Sequence, residues 1–255
     1  MSKMNLKVSL KDFQRGTNIL DLDVPPQLEE TVPTGVSFFD DALSGGEGIT
    51  PSSSILFTGT PGAGKTTLCL QLADAITASG NVCLFNTGEE SLLQVRKVAK
   101  RLNLRHGFLD GQDTHVPTLL ETAGNIMKQN PGKQFFMIID SLAVLDDGFY
   151  ANGATNSMSS VRAIEMITDF CKATYAVAIT IGQVNKDGNF LGKMQVKHAV
   201  DVHAHLGLDL QKSSETYGER IFEIQKNRFA SAGKRYVLGM EKTGLFEKGH
   251  FETVG

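Results

Sequence analysis

The residues best suited to chemistry form one Gly-rich run between an apolar segment and a helical pattern. Gly59 to Thr66 reads Gly-Thr-Pro-Gly-Ala-Gly-Lys-Thr and satisfies every constrained position of G-x-x-x-x-G-K-[ST]. Glycines let backbone N–H groups curl around a phosphate, and the following helix adds its positive N-terminal end. We expect Lys65 to reach the β and γ phosphates of ATP and the Thr66 hydroxyl to ligate Mg²⁺. The predicted nucleotide-binding residues are Gly59, Thr60, Pro61, Gly62, Ala63, Gly64, Lys65, Thr66 and Thr67.

Carboxylates follow two other apolar segments. Asp140 ends the run at 135–139, and an Asp at that place beside a phosphate-binding loop holds the Mg²⁺ water shell, so Thr66 and Asp140 form the predicted metal set. Glu89 and Glu90 follow the run at 82–86. A carboxylate there can orient the water that attacks the γ phosphate, whereas acids at a helix start can also simply favour its dipole. Glu89 lies closer to the strand end and is the preferred catalytic candidate.

Three further polar side chains complete the predicted catalytic set with Lys65 and Glu89. Gln183 follows the strand end at 179–181, where an amide could sense the γ phosphate or merely stabilise a turn. Lys226 and Arg228 are two residues apart at the end of a predicted β segment, so their side chains point the same way. Two cations aimed together suit a phosphate chain, and a solvated sheet edge is the alternative.

Strands and helices that alternate along the chain must position these residues. Apolar runs predict strands at 54–58, 82–86, 134–139 and 175–181, and helical patterns lie at 66–78, 91–102, 118–128 and 160–171. Segments 202–210 and 220–225 predict an antiparallel pair, followed by a β-rich segment at 234–249. The expected fold is α/β, with a mostly parallel central sheet flanked by helices and a C-terminal antiparallel β meander. The polar, Gly-rich segments 146–159 and 185–195 predict long loops.

Composition bounds the class of protein. The chain has 255 residues, of which 41% are hydrophobic and 21% charged, as in soluble globular proteins. The net charge of −3 means that nucleic-acid binding would need a local basic surface. No secretory signal and no run of about 20 apolar residues is present, so we expect a cytoplasmic protein without membrane contact. Residues 1–31 predict an N-terminal arm, flexible or oligomerising, and residues 32–255 a single ATPase core.

Several motifs together resemble the ATPase core of the RadA/Sms branch of the RecA superfamily. Besides the Gly-rich run, they are Thr87-Gly88-Glu89-Glu90-Ser91, Gln183-Val184-Asn185-Lys186-Asp187-Gly188 and Lys226-Asn227-Arg228-Phe229, preceded upstream by Pro33-Thr34-Gly35-Val36. The resemblance runs from about residue 32 to residue 246. It implies a RecA-like fold that assembles in rings or filaments with ATP at the subunit interfaces, and Lys226 and Arg228 would then reach the γ phosphate of a neighbour's ATP.

The same resemblance implies single-stranded DNA as a partner. Loops 146–159 and 185–195 match the family's DNA-facing loops. Lys186, Lys193 and Lys197 would contact phosphates, with Arg162 supporting the first loop, although three lysines can also serve solubility alone. A single-strand-binding protein is a further expected partner, in a bacterial cell or, for a phage protein, in the host cytoplasm.

The chain also departs from the family. The zinc finger and the protease-like domain of RadA/Sms proteins are not expected here, Ala230 replaces the Gly after Lys-Asn-Arg-Phe, and Lys193-Met194 replaces Pro-Arg. The chain therefore resembles core-only recombinases of phages. The predicted function is an ATP-hydrolysing DNA-binding protein of homologous recombination or repair, by strand exchange or branch migration. The alternatives are a KaiC-type regulatory switch without DNA and a helicase motor.

Overall fold

The computed structural model describes residue 16 and residues 18–156, 158–183 and 194–252. Within these residues nine strands form one sheet in the order β3-β2-β4-β5-β1-β6-β7-β8-β9. The strands are β1 Ser54–Gly59, β2 Val82–Thr87, β3 Leu109–Gly111, β4 Phe135–Asp140, β5 Val177–Ile181, β6 Val202–Leu208, β7 Arg220–Asn227, β8 Lys234–Glu241 and β9 Gly244–Glu252. The helices are α1 Pro26–Glu29, α2 Ser37–Ser44, α3 Lys65–Ala78, α4 Leu92–Arg101, α5 Val116–Gln129, α6 Ser159–Thr174 and α7 Met194–Ala199, with short 3-10 turns at Ile19–Asp21 and Leu142–Val144.

The sheet has a parallel part and an antiparallel part. Strands β3, β2, β4, β5, β1 and β6 pair in parallel, with Ile55 of β1 opposite Ile179 of β5 on one side and Val202 of β6 on the other. From β6 to β9 every pairing is antiparallel. The predicted fold class is therefore confirmed. Because all parallel strands end at the same edge, polar residues that follow β1, β2, β4 and β5 meet there.

Alternating side chains of the parallel strands divide the core between two faces. Phe57 and Ile55 point into a cluster that includes residues of α2 and α3, whereas Leu56 between them packs with residues of α5 and α6. The five β1 residues Ser54 to Thr58 are each no more than 1% exposed. Burial on both faces fits an apolar run without alternation, and it fixes the strand that leads into the Gly-rich loop.

Some elements differ from the sequence-based expectation. Helix α2, strand β3 and helix α7 were not predicted, and α7 begins at Met194, inside the segment expected as the loop 185–195. In the described part of the predicted N-terminal arm, a 3-10 turn at Ile19–Asp21 and the short α1 are present. Residues 1–15 and 17 lie outside the described residues, so the role of the arm stays a prediction. Across the described ranges, no helix is both long and apolar enough to cross a membrane.

Candidate nucleotide-binding site

The Gly-rich loop connects β1 to α3 at the carboxyl edge of the sheet. A Cβ on Gly59 would lie 2.1 Å from the backbone oxygen of Leu206 in the neighbouring β6, so only glycine fits there. Gly62 and Gly64 have φ values of 78° and 108°, a region that side chains disfavour. The chain therefore curls between the strand and Lys65, the first residue of α3, and its backbone N–H groups and the helix N-terminus adjoin one space.

That space is a cavity of about 470 Å³ at the same edge. It brings together most of the residues selected from the sequence, which follow four different strands. The lining residues are Gly59, Pro61, Gly62, Gly64, Lys65, Thr66, Thr67, Glu89, Asp140, Ser141, Ile181, Gln183 and Met240. Of the predicted nucleotide-binding residues, Thr60 and Ala63 lie in the loop but not in this lining, and Ala63 is fully buried.

Thr66 and Asp140 supply adjacent oxygens. The Thr66 hydroxyl donates a hydrogen bond of 2.7 Å to Oδ2 of Asp140. Burial raises the pKa of the Asp140 carboxyl, the Thr66 hydrogen bond lowers it in part, and the negative charges of Glu89 and Glu90 raise it further. A hydroxyl and a carboxylate are hard oxygen ligands of the kind that Mg²⁺ binds beside substrate phosphates, so the pair fits this ion.

Lys65 lies against the loop that precedes it. Its ammonium donates to the backbone oxygens of Gly59 at 2.8 Å and Thr60 at 3.3 Å. Burial lowers the pKa of Lys65, and the charges of Asp140 and Glu89 oppose that shift. The side chain is thus a cation held at the cavity wall by neutral carbonyl groups, which a phosphate can replace as partner.

Glu89 is held by two neighbours. Its Oε1 accepts hydrogen bonds from the Ser141 hydroxyl and, at 3.2 Å, from Nε2 of Gln183. Glu89 is exposed to the cavity, whereas Glu90 is not among the lining residues. Sequence reasoning missed Ser141, although its position directly after Asp140 at a strand end was a usable signal. Gln183 therefore contacts the candidate base itself, at the point where the chain leaves β5.

Lys226 and Arg228 lie outside the lining of this cavity and converge elsewhere. The Lys226 ammonium donates to three backbone oxygens at the end of α7, those of Lys197, His198 and Val200, at 3.0, 3.3 and 2.5 Å. Arg228 forms an ion pair of 3.0 Å with the buried Asp201 and also donates to the His198 oxygen. Both cations thus donate to the His198 oxygen, and Arg228 remains about half exposed.

The residues selected for DNA contact are only partly described. Lys186 and Lys193 lie outside the described residues. Lys197 is a half-buried residue of α7. Arg162 pairs with the buried Asp147, donates to Oγ of Ser159 at 3.2 Å and lies 4.4 Å from the centre of the Phe149 ring. Its guanidinium is thus engaged within segment 146–159.

Comparison with known proteins gives one family and several relatives. The family model described as "ATPase: KaiC" matches residues 32–244. DNA repair protein RadA of Aquifex aeolicus is 34% identical over 221 residues, which are 86% of this chain and 46% of that protein. The Escherichia coli K12 protein of the same name is 33% identical over 215 residues, 84% of this chain and 44% of that protein. The chain thus spans about half the length of these curated relatives, and the resemblance to RadA is confirmed.

Two solved structures have the same fold at low sequence identity. One is an isolated ATPase domain with a TM-score of 0.73 at 16% identity, covering 85% of this chain and 90% of that chain. The other is a DnaB-like replicative helicase with the same score and identity, covering 85% of this chain and 61% of its own. At this identity the likeness concerns the fold alone.

Proposed function

The chain belongs to the KaiC family of RecA-like ATPases, and from this premise we propose that it hydrolyses ATP in response to single-stranded DNA. Its role would be in recombination or repair, by strand exchange or branch migration. The observation that carries the ATPase part is the meeting of Lys65, Asp140 and Glu89 in one cavity. The DNA part is supported by relatives named DNA repair protein RadA, of which the chain spans about half.

In the proposed mechanism the Gly-rich loop binds the phosphate chain through its N–H groups, and Lys65 leaves the loop carbonyls for the β and γ phosphates. Thr66 and Asp140 would hold Mg²⁺, which when bound neutralises charge on those phosphates. Glu89 orients the attacking water and accepts its proton. Ser141 and Gln183 fix the Glu89 carboxylate through the hydrogen bonds described above. Gln183 directly precedes segment 184–193 in the sequence, so its hydrogen bond to Glu89 would connect the proposed base to that segment.

We propose that a neighbouring copy completes the site. Lys226 and Arg228 are absent from the lining of the cavity in their own chain, and both donate to the His198 backbone oxygen at the end of α7. Such cations can act on the phosphates of an adjacent subunit, which requires a ring or filament with ATP at the interface. In phosphoryl-transfer systems a cation supplied in trans raises the rate by roughly 10³ to 10⁵. Residues 1–31 are proposed as an oligomerising arm.

DNA would bind through phosphate contacts from Lys186, Lys193 and Lys197, with Arg162 supporting segment 146–159. Contacts of this kind give affinity that is independent of sequence and falls with salt. A single-strand-binding protein is a proposed partner, in the cytoplasm of a bacterium or of a phage's host.

The test is ATP turnover with and without single-stranded DNA over a salt series. We expect turnover to rise with DNA and the stimulation to fade as salt increases, since phosphate contacts are screened. The alternative is a KaiC-type regulatory switch without DNA, and the name of the matching family, "ATPase: KaiC", is the observation that supports it. Turnover that ignores DNA at low salt, together with no DNA binding, would favour that switch. Unwinding of a DNA duplex that requires ATP hydrolysis would instead identify a helicase motor, whose fold the chain shares.

A further inference from the structure

Two adjacent aromatic rings lie exposed on the segment that joins β4 to α6. Phe149 is 45% exposed and Tyr150 39% exposed, and they lie in segment 146–159, whose other residues apart from Met158 are small or polar. Their ring centres are 4.9 Å apart and their planes cross at 82°. Neither ring belongs to the two apolar clusters that the described residues form. Packing of the core therefore does not explain why this segment carries them.

Polar contacts from the segment and from α6 hold both rings in place. The guanidinium of Arg162 lies 4.4 Å from the centre of the Phe149 ring and is itself fixed by the buried Asp147. The Tyr150 hydroxyl accepts a hydrogen bond of 2.8 Å from Nδ2 of Asn156. A cation on one ring and an amide on the other limit the movement of two side chains that solvent still reaches. Both rings are thus held in one orientation while they remain exposed to solvent.

The segment is also anchored to the edge of the sheet that carries the nucleotide cavity. Its first residue, Asp146, accepts a hydrogen bond from the backbone N–H of Val116 and donates its own N–H to the oxygen of Thr114, both at 2.8 Å. A short 3-10 turn separates it from Asp140 and Ser141 of the cavity. The aromatic pair is therefore connected to the catalytic edge through few residues.

We propose that Phe149 and Tyr150 form a base-stacking subsite for single-stranded DNA, an inference that rests on the proposed function and adds a second kind of contact to it. Nucleobases stack on exposed aromatic rings whatever their sequence, because every base has a π face. Arg162 is a positioning residue that holds Phe149. Its guanidinium forms an ion pair with Asp147, so we do not assign it a contact with a DNA phosphate.

The chain contains no tryptophan, which allows a direct optical test. In Phe149→Trp the one indole replaces a ring of the pair, and an oligo-dT strand is expected to quench its fluorescence in a saturable way as a base stacks on it. The matched control is Phe251→Trp, which places the indole on the far edge strand β9 at a similar exposure of 41%. Its fluorescence should not respond. Equal responses from the two indoles, or no response at 149 while the strand binds, would overturn the subsite.

A second measurement separates stacking from phosphate binding. The wild-type chain should bind oligo-dT more tightly than an abasic strand of the same length. In Phe149→Ala/Tyr150→Ala the affinity for oligo-dT should fall roughly 10- to 100-fold, since stacking contributes that much per base, while affinity for the abasic strand and for ATP stays unchanged. Retained ATP binding reports that the double variant folds.

The outcomes distinguish this inference from the function on which it rests. A wild-type chain that binds neither strand overturns both. A wild-type chain that binds the two strands equally, or a double variant that still discriminates between them, overturns the stacking subsite alone. If the double variant instead loses its assembled form in sedimentation, the rings contact a second copy of the chain and the inference is wrong.

Discussion

Glu89, the proposed catalytic base, is held in place by its neighbours. It accepts hydrogen bonds from Ser141 and Gln183 at the cavity edge. We expect Glu89→Gln to lower ATP turnover by roughly 10²- to 10⁴-fold, because the amide cannot accept the proton from water, with little change in nucleotide affinity. Phosphate release and binding of a fluorescent nucleotide measure the two quantities. The control is Glu90→Gln, which changes the adjacent carboxylate outside the lining; a larger loss there than at Glu89 would reverse the assignment.

Arg228 is expected to affect hydrolysis and not binding. Its guanidinium is about half exposed and pairs with the buried Asp201, whose other oxygen accepts from the backbone N–H of Ser54. Arg228→Ala should lower turnover by roughly 10³- to 10⁵-fold, the range for a cation supplied to the transition state, and leave nucleotide affinity intact. Lys65→Ala should instead weaken nucleotide binding itself. An Arg228→Ala chain that hydrolyses ATP at the normal rate would remove this residue from the mechanism.

Strand β6 carries a buried histidine that makes stability depend on pH. His203 is 3% exposed, and its Nε2 lies 2.8 Å from the Thr58 hydroxyl of β1. The pKa of His203 is lowered to about 3, mainly by burial and in smaller part by the positive charges of Lys197, His205 and Lys226. The unfolded chain therefore binds a proton below its ordinary pKa of about 6.5 that the folded chain does not bind.

Stability should consequently fall as the solution is acidified below pH 6.5. Between pH 7 and pH 5 this one group removes about 2 kcal/mol from the free energy of unfolding, at about 1.36 kcal/mol per pH unit. Urea unfolding at both pH values measures the change. His203→Gln can keep a hydrogen bond to Thr58 without titrating and should show a smaller loss, whereas the exposed His106→Gln should behave as wild type. Equal pH dependence in all three proteins would contradict the assignment.

At the scale of elements, buried strands could be predicted and exposed or short elements could not. The run Phe135 to Ile139 is apolar throughout because β4 is covered on both faces, so its sequence identifies it. Strand β3 has three partly exposed residues, Leu109–Gly111, with no periodicity to detect. In α7 a single residue, Val196, is buried. Helix α2 could have been found, since Phe38, Phe39, Ala42 and Leu43 recur at helical spacing.

The candidate site follows the same division. That Lys65, Thr66 and Asp140 lie together could be predicted, because the Gly-rich pattern and the acid at the end of an apolar run restrict both residue type and spacing. The contact between Gln183 and Glu89 joins residues 94 positions apart and depends on the parallel strands that place their ends together. The engagement of Arg162 by Asp147 and Phe149 depends on the path of segment 146–159, which no short pattern encodes.

At the scale of the whole molecule, the proposed mechanism requires that one copy supplies the nucleotide cavity and another supplies Arg228. Interfaces of this kind are heterologous and generate rings or filaments. A mixture of two inactive variants should then regain ATP turnover, because a Lys65→Ala chain still carries Arg228 and an Arg228→Ala chain still carries an intact cavity.

The most direct test is the ATP turnover of an equimolar mixture of Lys65→Ala and Arg228→Ala chains, assembled together after separate purification. In random assembly about one quarter of the heterologous interfaces combine an intact cavity with an intact arginine. We predict that the mixture recovers up to about that fraction of wild-type turnover, while each variant alone stays inactive. A mixture as inactive as its components, although the two chains assemble together, would contradict a site shared between neighbouring copies.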